Sequence, residues 1–141
     1  MVTDPVFKFD HVHIISDDPH ASAQWYAEMF GATIARDGTA YGAPQIAVEL
    51  GGMTILIRGK RPGEEPVPAR PIRPFAGGFS SHNGLGTDHF GFLYEGDLAA
   101  FCDTLRQKGV QFPVELKRGL NGSLLCYVAA PDGINIELMQ C

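Results

Sequence analysis

The chain has 141 residues, of which 45% are hydrophobic and 19% are charged, and its formal net charge is −5. A chain of this length can bury the core of one compact domain, so we expect a single domain over residues 1–141. The negative charge disfavours nucleic acid and anionic membranes as partners, and no apolar run approaches the ~20 residues that a membrane-spanning helix needs.

The first half of the chain predicts the element order βαβββ. Residues 7–15 read as a strand. Residues 19–30 read as a helix, because Asp17 or Asp18 can cap its start and Gly31 can end it. Three short strands should follow, near residues 32–36, 45–50 and 53–58.

The second half predicts the same order again. A strand is expected over residues 88–94 and a helix near residues 98–108, which Gly109 should end. Three strands are then expected near residues 114–117, 123–129 and 134–139. The chain therefore reads as two tandem βαβββ modules, over residues 7–58 and 87–139.

Residues 59–86 separate the two modules and are rich in Pro, Gly and Arg. Structureless loops longer than ~12–15 residues are usually functional or disordered. The segment is therefore either a mobile linker or a lid over a pocket. As a lid it would offer a substrate Arg61, Arg70, Arg73, Phe75, Phe79 and His82. Its arginines would suit an anionic substrate, because guanidinium groups pair well with carboxylate and phosphate.

The two modules open on related sequences, Asp10-His11 and Asp88-His89, and a Gly follows each His after 20 residues. Superposing the modules places His11 on His89 and Leu56 on Glu137. Repeat-related positions can converge on one point, and two His with one Glu make a plausible set of metal ligands. A single His or Glu on a strand is more often a hydrogen-bonded structural residue, but the repeat favours metal binding for His11, His89 and Glu137.

Strand alternation predicts which way these side chains point. His11 and His13 share one face of their strand, and Glu137 shares a face with Asn135. In each case the opposite face is strongly apolar, as expected of a sheet that packs on a helix on one side and lines a cavity on the other. For His13 a supporting role or a place in the pocket wall is favoured over metal binding.

These motifs resemble the vicinal oxygen chelate superfamily, which includes glyoxalase I, methylmalonyl-CoA epimerase, extradiol dioxygenases and the bleomycin and fosfomycin resistance proteins. The resemblance covers nearly the whole chain. It implies an α+β fold in which two tandem βαβββ modules form a curved mixed sheet around a metal-binding cavity. It rests on the stretches 9–12, 25–31, 87–92 and 130–138.

Carried over residue by residue, the resemblance implies metal ligands at His11, His89 and Glu137. The fourth ligand position of glyoxalase and epimerase members falls on Leu56, which cannot bind a metal, and Glu49 could replace it only in a different strand register. Two His and one carboxylate with open positions are typical of non-haem Fe(II) oxygenases. We therefore favour Fe(II), with Mn, Ni, Co or Zn as alternatives.

The dioxygenase pattern is only partly matched. Its Tyr ten residues before the ligand Glu corresponds to Tyr127, although a buried core aromatic is an equally good interpretation. Its acid/base His has no counterpart in residues 117–122, so His82 or His13 would have to supply that function. The predicted catalytic residues are Glu137, Tyr127, His82 and His13, and the predicted substrate-binding residues are Arg70, Arg73, Phe75 and Asn135.

Three functions remain open at this point. The chain could be an Fe(II) dioxygenase-type enzyme for a small, anionic substrate with adjacent oxygens, a glyoxalase- or epimerase-like lyase or isomerase, or a non-catalytic drug-binding protein. The resemblance also implies a homodimer. The first five residues lack signal-peptide features and the three cysteines lack CxxC spacing, so we expect free thiols and a cytoplasmic location.

Overall fold

The structure, a computed structural model, describes residues 5–141. The chain divides into two compact units, one ending at Glu65 (unit 1) and one spanning Pro66–Cys141 (unit 2). Each unit contains one four-stranded sheet and one α-helix, which makes the fold α+β as predicted. No helix in the described residues is long and apolar enough to cross a membrane.

Unit 1 has the predicted order βαβββ. Its sheet runs β1-β4-β3-β2, with β1 parallel to β4 and the other pairs antiparallel. Parallel pairing of the first and last strands requires the crossover that the helix provides. The elements are β1 (His11–Ile15), α1 (Pro19–Phe30), β2 (Thr33–Ala40), β3 (Ala43–Leu50) and β4 (Met53–Arg58).

Local sequence explains the bounds of α1, which match the prediction. The Asp18 carboxylate accepts a hydrogen bond from the backbone N–H of Ala21 at 3.1 Å, and Pro19 occupies the first turn. Gly31 ends the helix with a φ of 71°, a left-handed conformation that glycine adopts without steric cost. The helix packs mainly against β3, with Ala23 and Tyr26 buried.

Unit 2 repeats this arrangement and adds a hairpin. Its main sheet runs β7-β10-β9-β8, again with the first and last strands parallel. The hairpin pairs β5 with β6. The elements are β5 (Arg73–Phe75), β6 (Phe79–Ser81), β7 (Phe90–Tyr94), α2 (Leu98–Gln107), β8 (Val114–Arg118), β9 (Leu124–Ala129) and β10 (Asn135–Gln140).

The β5–β6 hairpin lies within the segment that the sequence predicted as a linker or a lid. Gly77 and Gly78, with φ of 79° and 76°, form its turn, and Phe75 and Phe79 pair on either side of it. A Gly-Gly turn between two short strands is a hairpin signal that the prediction missed. Lys117 of β8 fastens it, since its Nζ lies 4.1 Å from the centre of the Phe79 ring and donates to the Gly77 carbonyl at 2.8 Å. That contact spans forty residues, so local sequence could not indicate it.

The strands β1 and β7 begin later than predicted. The sequence suggested starts at Phe7 and Asp88, whereas pairing begins at His11 with Thr54 and at Phe90 with Ile136. Phe7 is 87% exposed, so the apolar pattern there does not contribute to the core. A strand extends only as far as its partner does, and local pattern does not reveal the partner.

Strand register confirms the predicted equivalence of the two modules. His13, two residues after His11, pairs with Leu56, and Gly91, two residues after His89, pairs with Glu137. Leu56 and Glu137 therefore occupy the same place in their sheets. The apolar face opposite each is buried, with Ile55 and Ile57 flanking Leu56 and with Ile136 and Leu138 flanking Glu137.

A close approach between β7 and β10 requires glycine at position 91. A Cβ atom there would lie 2.9 Å from the Glu137 carbonyl oxygen and 3.2 Å from its Cβ, both tighter than ordinary contact. We expect Gly91→Ala to lower the free energy of unfolding by about 1–3 kcal/mol through overpacking. Urea denaturation followed by circular dichroism measures the change.

Gly38 of β2 offers the matched control. It is a strand glycine with no atom within 4 Å of an added Cβ, and its φ is not positive. Gly38→Ala should therefore be neutral or stabilise the fold by up to about 1 kcal/mol. Equal unfolding midpoints for the two variants would contradict the close approach at Gly91.

Candidate metal and substrate site

Unit 2 brings together two of the three predicted metal ligands. His89 Nε2 lies 3.5 Å from Glu137 Oε2, and both side chains are partly buried. The other ring nitrogen of His89, Nδ1, lies 2.8 Å from Asp88 Oδ2. The Asp88 carboxylate therefore orients the imidazole through Nδ1, while the Glu137 carboxylate faces Nε2.

Asp88 is held firmly, although the sequence analysis assigned it no role. Its Oδ1 accepts hydrogen bonds from Ser81 Oγ at 2.6 Å and from the backbone N–H of His82 at 3.0 Å. The Ser81 and His89 hydrogen bonds lower the pKa of Asp88 to about 2, so the group is ionised at neutral pH. An aspartate directly before each repeated His was the signal that could have identified it.

The ionised Asp88 determines the tautomer of His89. A carboxylate only accepts, so Nδ1 must carry the proton, and the lone pair of a neutral ring then lies on Nε2. That lone pair faces the Glu137 carboxylate, so two electron-pair donors lie opposite each other. Their mutual repulsion is relieved when a cation lies between them and binds both. Ligand atoms about 2.1 Å from one metal are separated by about 3–3.5 Å, so the donor set fits a divalent metal.

Tyr127 lies beside this pair. Gly91, Glu137, Tyr127 and Val114 stand opposite one another across β7, β10, β9 and β8, and the Tyr127 ring centre is 4.8 Å from that of His89. Burial, followed by the charges of Glu137 and Asp88, raises the pKa of Tyr127. Its hydroxyl therefore stays protonated and can act as a hydrogen-bond donor.

Two further predicted residues lie near the β5–β6 hairpin. His82 Nδ1 lies 2.8 Å from the Arg70 carbonyl oxygen and must donate to it, which leaves Nε2 as an acceptor. Asn135 is 1% exposed, and its Nδ2 donates to Ser80 Oγ at 3.4 Å. Its Oδ1 has no hydrogen-bond partner among the described residues.

The remaining predicted substrate-binding residues lie on the surface of unit 2. Arg73 and Phe75 belong to β5 and are exposed, and the exposed Arg70 has its guanidinium against Gly84. No hydrogen bond or ion pair joins their side chains to His89 or Glu137 within residues 5–141.

Unit 1 holds the third predicted ligand, His11. Its Nδ1 lies 2.6 Å from Asp10 Oδ2, and its ring centre is 6.3 Å from that of His13. The Asp10 side chain is 89% exposed, against 32% for Asp88, and no other hydrogen bond holds it among the described residues. The same Asp-His pair thus recurs in both units but is rigidly supported only in unit 2.

Glu49 shares a face of the unit 1 sheet with His11. Thr54 pairs with both His11 and Glu49, so the three residues share a face of the sheet without any change of register. Glu49 and Thr54 also line a cavity of about 450 Å³ at that end of unit 1. Leu56 itself pairs with Ala47, so Glu49 could take the place of Leu56 only in a different strand register, as predicted.

The three predicted ligands are divided between the units. Considered separately within residues 5–141, neither unit gathers three or more His, Cys, Asp or Glu side chains that could hold a metal. Unit 2 contains His89 and Glu137 as neighbours, and unit 1 contains His11 and has Leu56 at the position equivalent to Glu137.

Solved structures share the fold at low sequence identity. A glyoxalase family protein from Bacillus cereus superposes with a TM-score of 0.78 at 17% identity, covering 99% of this chain and 97% of that one. The oxidase ChaP-H2 gives 0.63 at 20% identity, covering 97% and 95%. Lactoylglutathione lyase from Agrobacterium tumefaciens gives 0.63 at 16% identity, covering 97% and 96%.

No curated protein sequence matches the chain significantly. A family profile does, over residues 8–138, which is nearly the whole chain and includes all three predicted ligands. The motifs, the repeated βαβββ order and the profile agree. The chain belongs to the Glyoxalase/Bleomycin resistance protein/Dioxygenase superfamily.

Proposed function

We propose that the chain is a divalent-metal-dependent enzyme that acts on a small, anionic substrate with two adjacent oxygens. One observation carries the proposal: His89 Nε2 lies 3.5 Å from Glu137 Oε2 while ionised Asp88 holds the other ring nitrogen. Such a pair is costly to bury without a cation, and the backing carboxylate is the usual support of a metal-binding histidine.

The proposed ligands are His11, His89 and Glu137. When bound, the metal would supply open coordination positions at which a substrate with adjacent oxygens can chelate. Fe(II) and a dioxygenase-type reaction are favoured because Leu56 stands in register where a fourth ligand would stand, leaving a set of two His and one carboxylate.

Neighbouring side chains have defined roles in this proposal. The protonated Tyr127 would donate a hydrogen bond to a substrate oxygen, since its raised pKa disfavours the phenolate. His82 would accept a substrate proton at Nε2, because its Nδ1 proton is engaged by the Arg70 carbonyl. His13 is the alternative proton acceptor, and its lowered pKa keeps it neutral at pH 7.

Activity measurements distinguish the proposed enzyme from the other two functions. Oxygen consumption with catechols supports the dioxygenase-type reaction. Turnover of a glutathione hemithioacetal without oxygen uptake would instead indicate a lyase acting through an enediolate. Absence of bound metal and of both activities would indicate a non-catalytic binder. The homodimer and the cytoplasmic location remain predictions, which sedimentation and cell fractionation test.

Removing any one proposed ligand should abolish metal retention. We expect His11→Ala, His89→Ala and Glu137→Ala each to weaken metal binding by more than about 100-fold, above the range for supporting residues. Metal content after gel filtration and competition with a fluorescent chelator measure this.

His20→Ala is the matched control for the ligand variants. His20 Nε2 pairs with Asp37 Oδ1 at 3.0 Å on the surface of unit 1, so it is an Asp-paired histidine outside the proposed site. It should retain metal as the unmodified chain does. Retention by His89→Ala, or equal loss in His20→Ala, would disprove the ligand assignment.

Restoring a carboxylate at position 56 should strengthen metal binding. Leu56→Glu would supply the fourth ligand that the register permits, and we expect Ni²⁺ or Zn²⁺ affinity to rise by about tenfold or more. Calorimetric titration measures the change. Leu56→Met, which keeps the apolar volume, should leave affinity unaltered, and a Leu56→Glu affinity no higher than that of Leu56→Met would contradict the assignment.

Asp88 should matter more than its counterpart Asp10. In Asp88→Asn the amide N–H₂ can face His89 Nδ1 and favour the tautomer with its proton on Nε2, which cannot bind metal. We expect metal affinity to fall by about 10- to 100-fold in Asp88→Asn and by less than about fivefold in Asp10→Asn, because Asp10 is exposed and singly bonded.

The same pair of variants allows a direct measurement of the tautomer. Nitrogen-15 NMR of the metal-free protein should show the proton on Nδ1 of His89 in the unmodified chain and on Nε2 in Asp88→Asn. An unchanged tautomer together with unchanged affinity would show that Asp88 does not position His89.

A further inference from the structure

The carboxylate of Glu64, shortly after β4 in unit 1, is shared between the Arg58 guanidinium and the Arg61 backbone. Arg58 is 8% exposed and donates from Nη1 to Glu64 Oε1 at 2.7 Å and from Nη2 to Glu64 Oε2 at 3.3 Å. Its Nη1 also donates to the Gly59 carbonyl at 3.1 Å. Glu64 therefore neutralises Arg58 through both of its oxygens.

Arg61 has no carboxylate of its own among residues 5–141. Its backbone N–H donates to Glu64 Oε1 at 2.9 Å, while its guanidinium carbon lies 5.0 Å from the centre of the Tyr41 ring. The guanidinium makes no ion pair or hydrogen bond with the described residues, and its Nε is enclosed without an acceptor. The side chain is thus held over an aromatic face with its charge uncompensated.

The neighbouring guanidinium, that of Arg58, belongs to the sheet face that carries His11 and His13. Arg58 pairs in register with Ile15, two residues beyond His13 on the same face of the sheet. Two guanidinium groups and only the one carboxylate that bonds Arg58 therefore meet here, in a chain whose net charge is −5.

We propose that Arg61, held by Glu64 at its backbone and by Tyr41 at its guanidinium, binds the carboxylate of a small anionic ligand. The terminal nitrogens of Arg61 form the planar donor pair that matches a carboxylate. The inference rests on the proposed function and names the substrate class more closely: adjacent oxygens at one end and a carboxylate at the other. It assigns to Arg61 the role that the sequence suggested for Arg70 and Arg73.

The geometry favours Arg61 over those two residues. Arg70 and Arg73 are exposed, so water competes fully for their donors. Arg61 is half-buried and stacked on Tyr41, so less conformational freedom is lost when it binds. An anion bound at Arg61 would also neutralise the positive charge of this guanidinium, which Glu64 does not pair with.

Titration of the full chain with benzoate, a plain aromatic carboxylate, tests the inference. We follow the backbone amide NMR shifts of residues 58–64 at low ionic strength, in the protein as purified and after removal of metal by dialysis against a chelator. We expect saturable binding in both, weakened about tenfold in Arg61→Gln by loss of a charge-assisted pair, and about threefold in Arg61→Lys. Inorganic phosphate serves as the second probe, and tighter binding of phosphate than benzoate would overturn the choice of carboxylate.

Arg118→Gln is the control, since Arg118 is an exposed arginine of β8 that donates only to the Gly122 carbonyl at 2.7 Å. It should bind benzoate as the unmodified chain does. Unchanged binding in Arg61→Gln, equal loss in Arg118→Gln, or no saturable shift in the unmodified chain would each overturn the inference. Thermal unfolding of Arg61→Gln should match the unmodified chain within a few degrees, so that a loss of binding reflects the site.

The readout separates this inference from the proposed function. Binding of benzoate to metal-free protein does not involve His89 or Glu137. If the ligand variants retain metal but Arg61→Gln loses benzoate, the metal assignment fails and the anion site stands. If metal binding depends on His89 and Glu137 while benzoate binding does not depend on Arg61, the anion site fails and the metal assignment stands.

Discussion

The carboxylate of Asp88 is the group on which the orientation of His89 in unit 2 depends. It joins the end of the β5–β6 hairpin, through Ser81 and His82, to the imidazole of His89. Because Asp88 is ionised and accepts from three donors, His89 must carry its proton on Nδ1, and its ring is held in one orientation. The parallel register of β7 and β10 then places Glu137 opposite Gly91, where the absent side chain leaves room for the close approach of the two strands.

The two modules share one arrangement of strands but carry different side chains at equivalent positions. The register makes Leu56 and Glu137 equivalent, yet one is apolar and the other acidic. Unit 2 presents a supported histidine with a carboxylate, whereas the equivalent histidine of unit 1 has only the exposed Asp10 as its hydrogen-bond partner among the described residues. A duplicated module can diverge in this way because the buried apolar faces hold the fold while the opposite faces are free to change.

Periodicity and local end signals predicted most of the fold. The bounds of α1 were right because Asp18 and Gly31 act within a few residues of each end. The β5–β6 hairpin and the Asp88 contacts were missed for the opposite reason. Lys117 fastens the hairpin from forty residues away, and Asp88 gains its importance from Ser81 and His82, which only the folded chain places beside it. Sequence spacing found the candidate ligands but not the groups that orient them.

The distribution of charge explains why an anion would bind where it does. Acidic residues outnumber basic ones over the chain, so an anion is repelled at most of the surface. Around Arg61 basic groups outnumber free acidic ones, because both Glu64 oxygens already accept hydrogen bonds from Arg58 and from the Arg61 backbone. Leu56 adds no negative charge to the same sheet, whereas its counterpart Glu137 does so in unit 2.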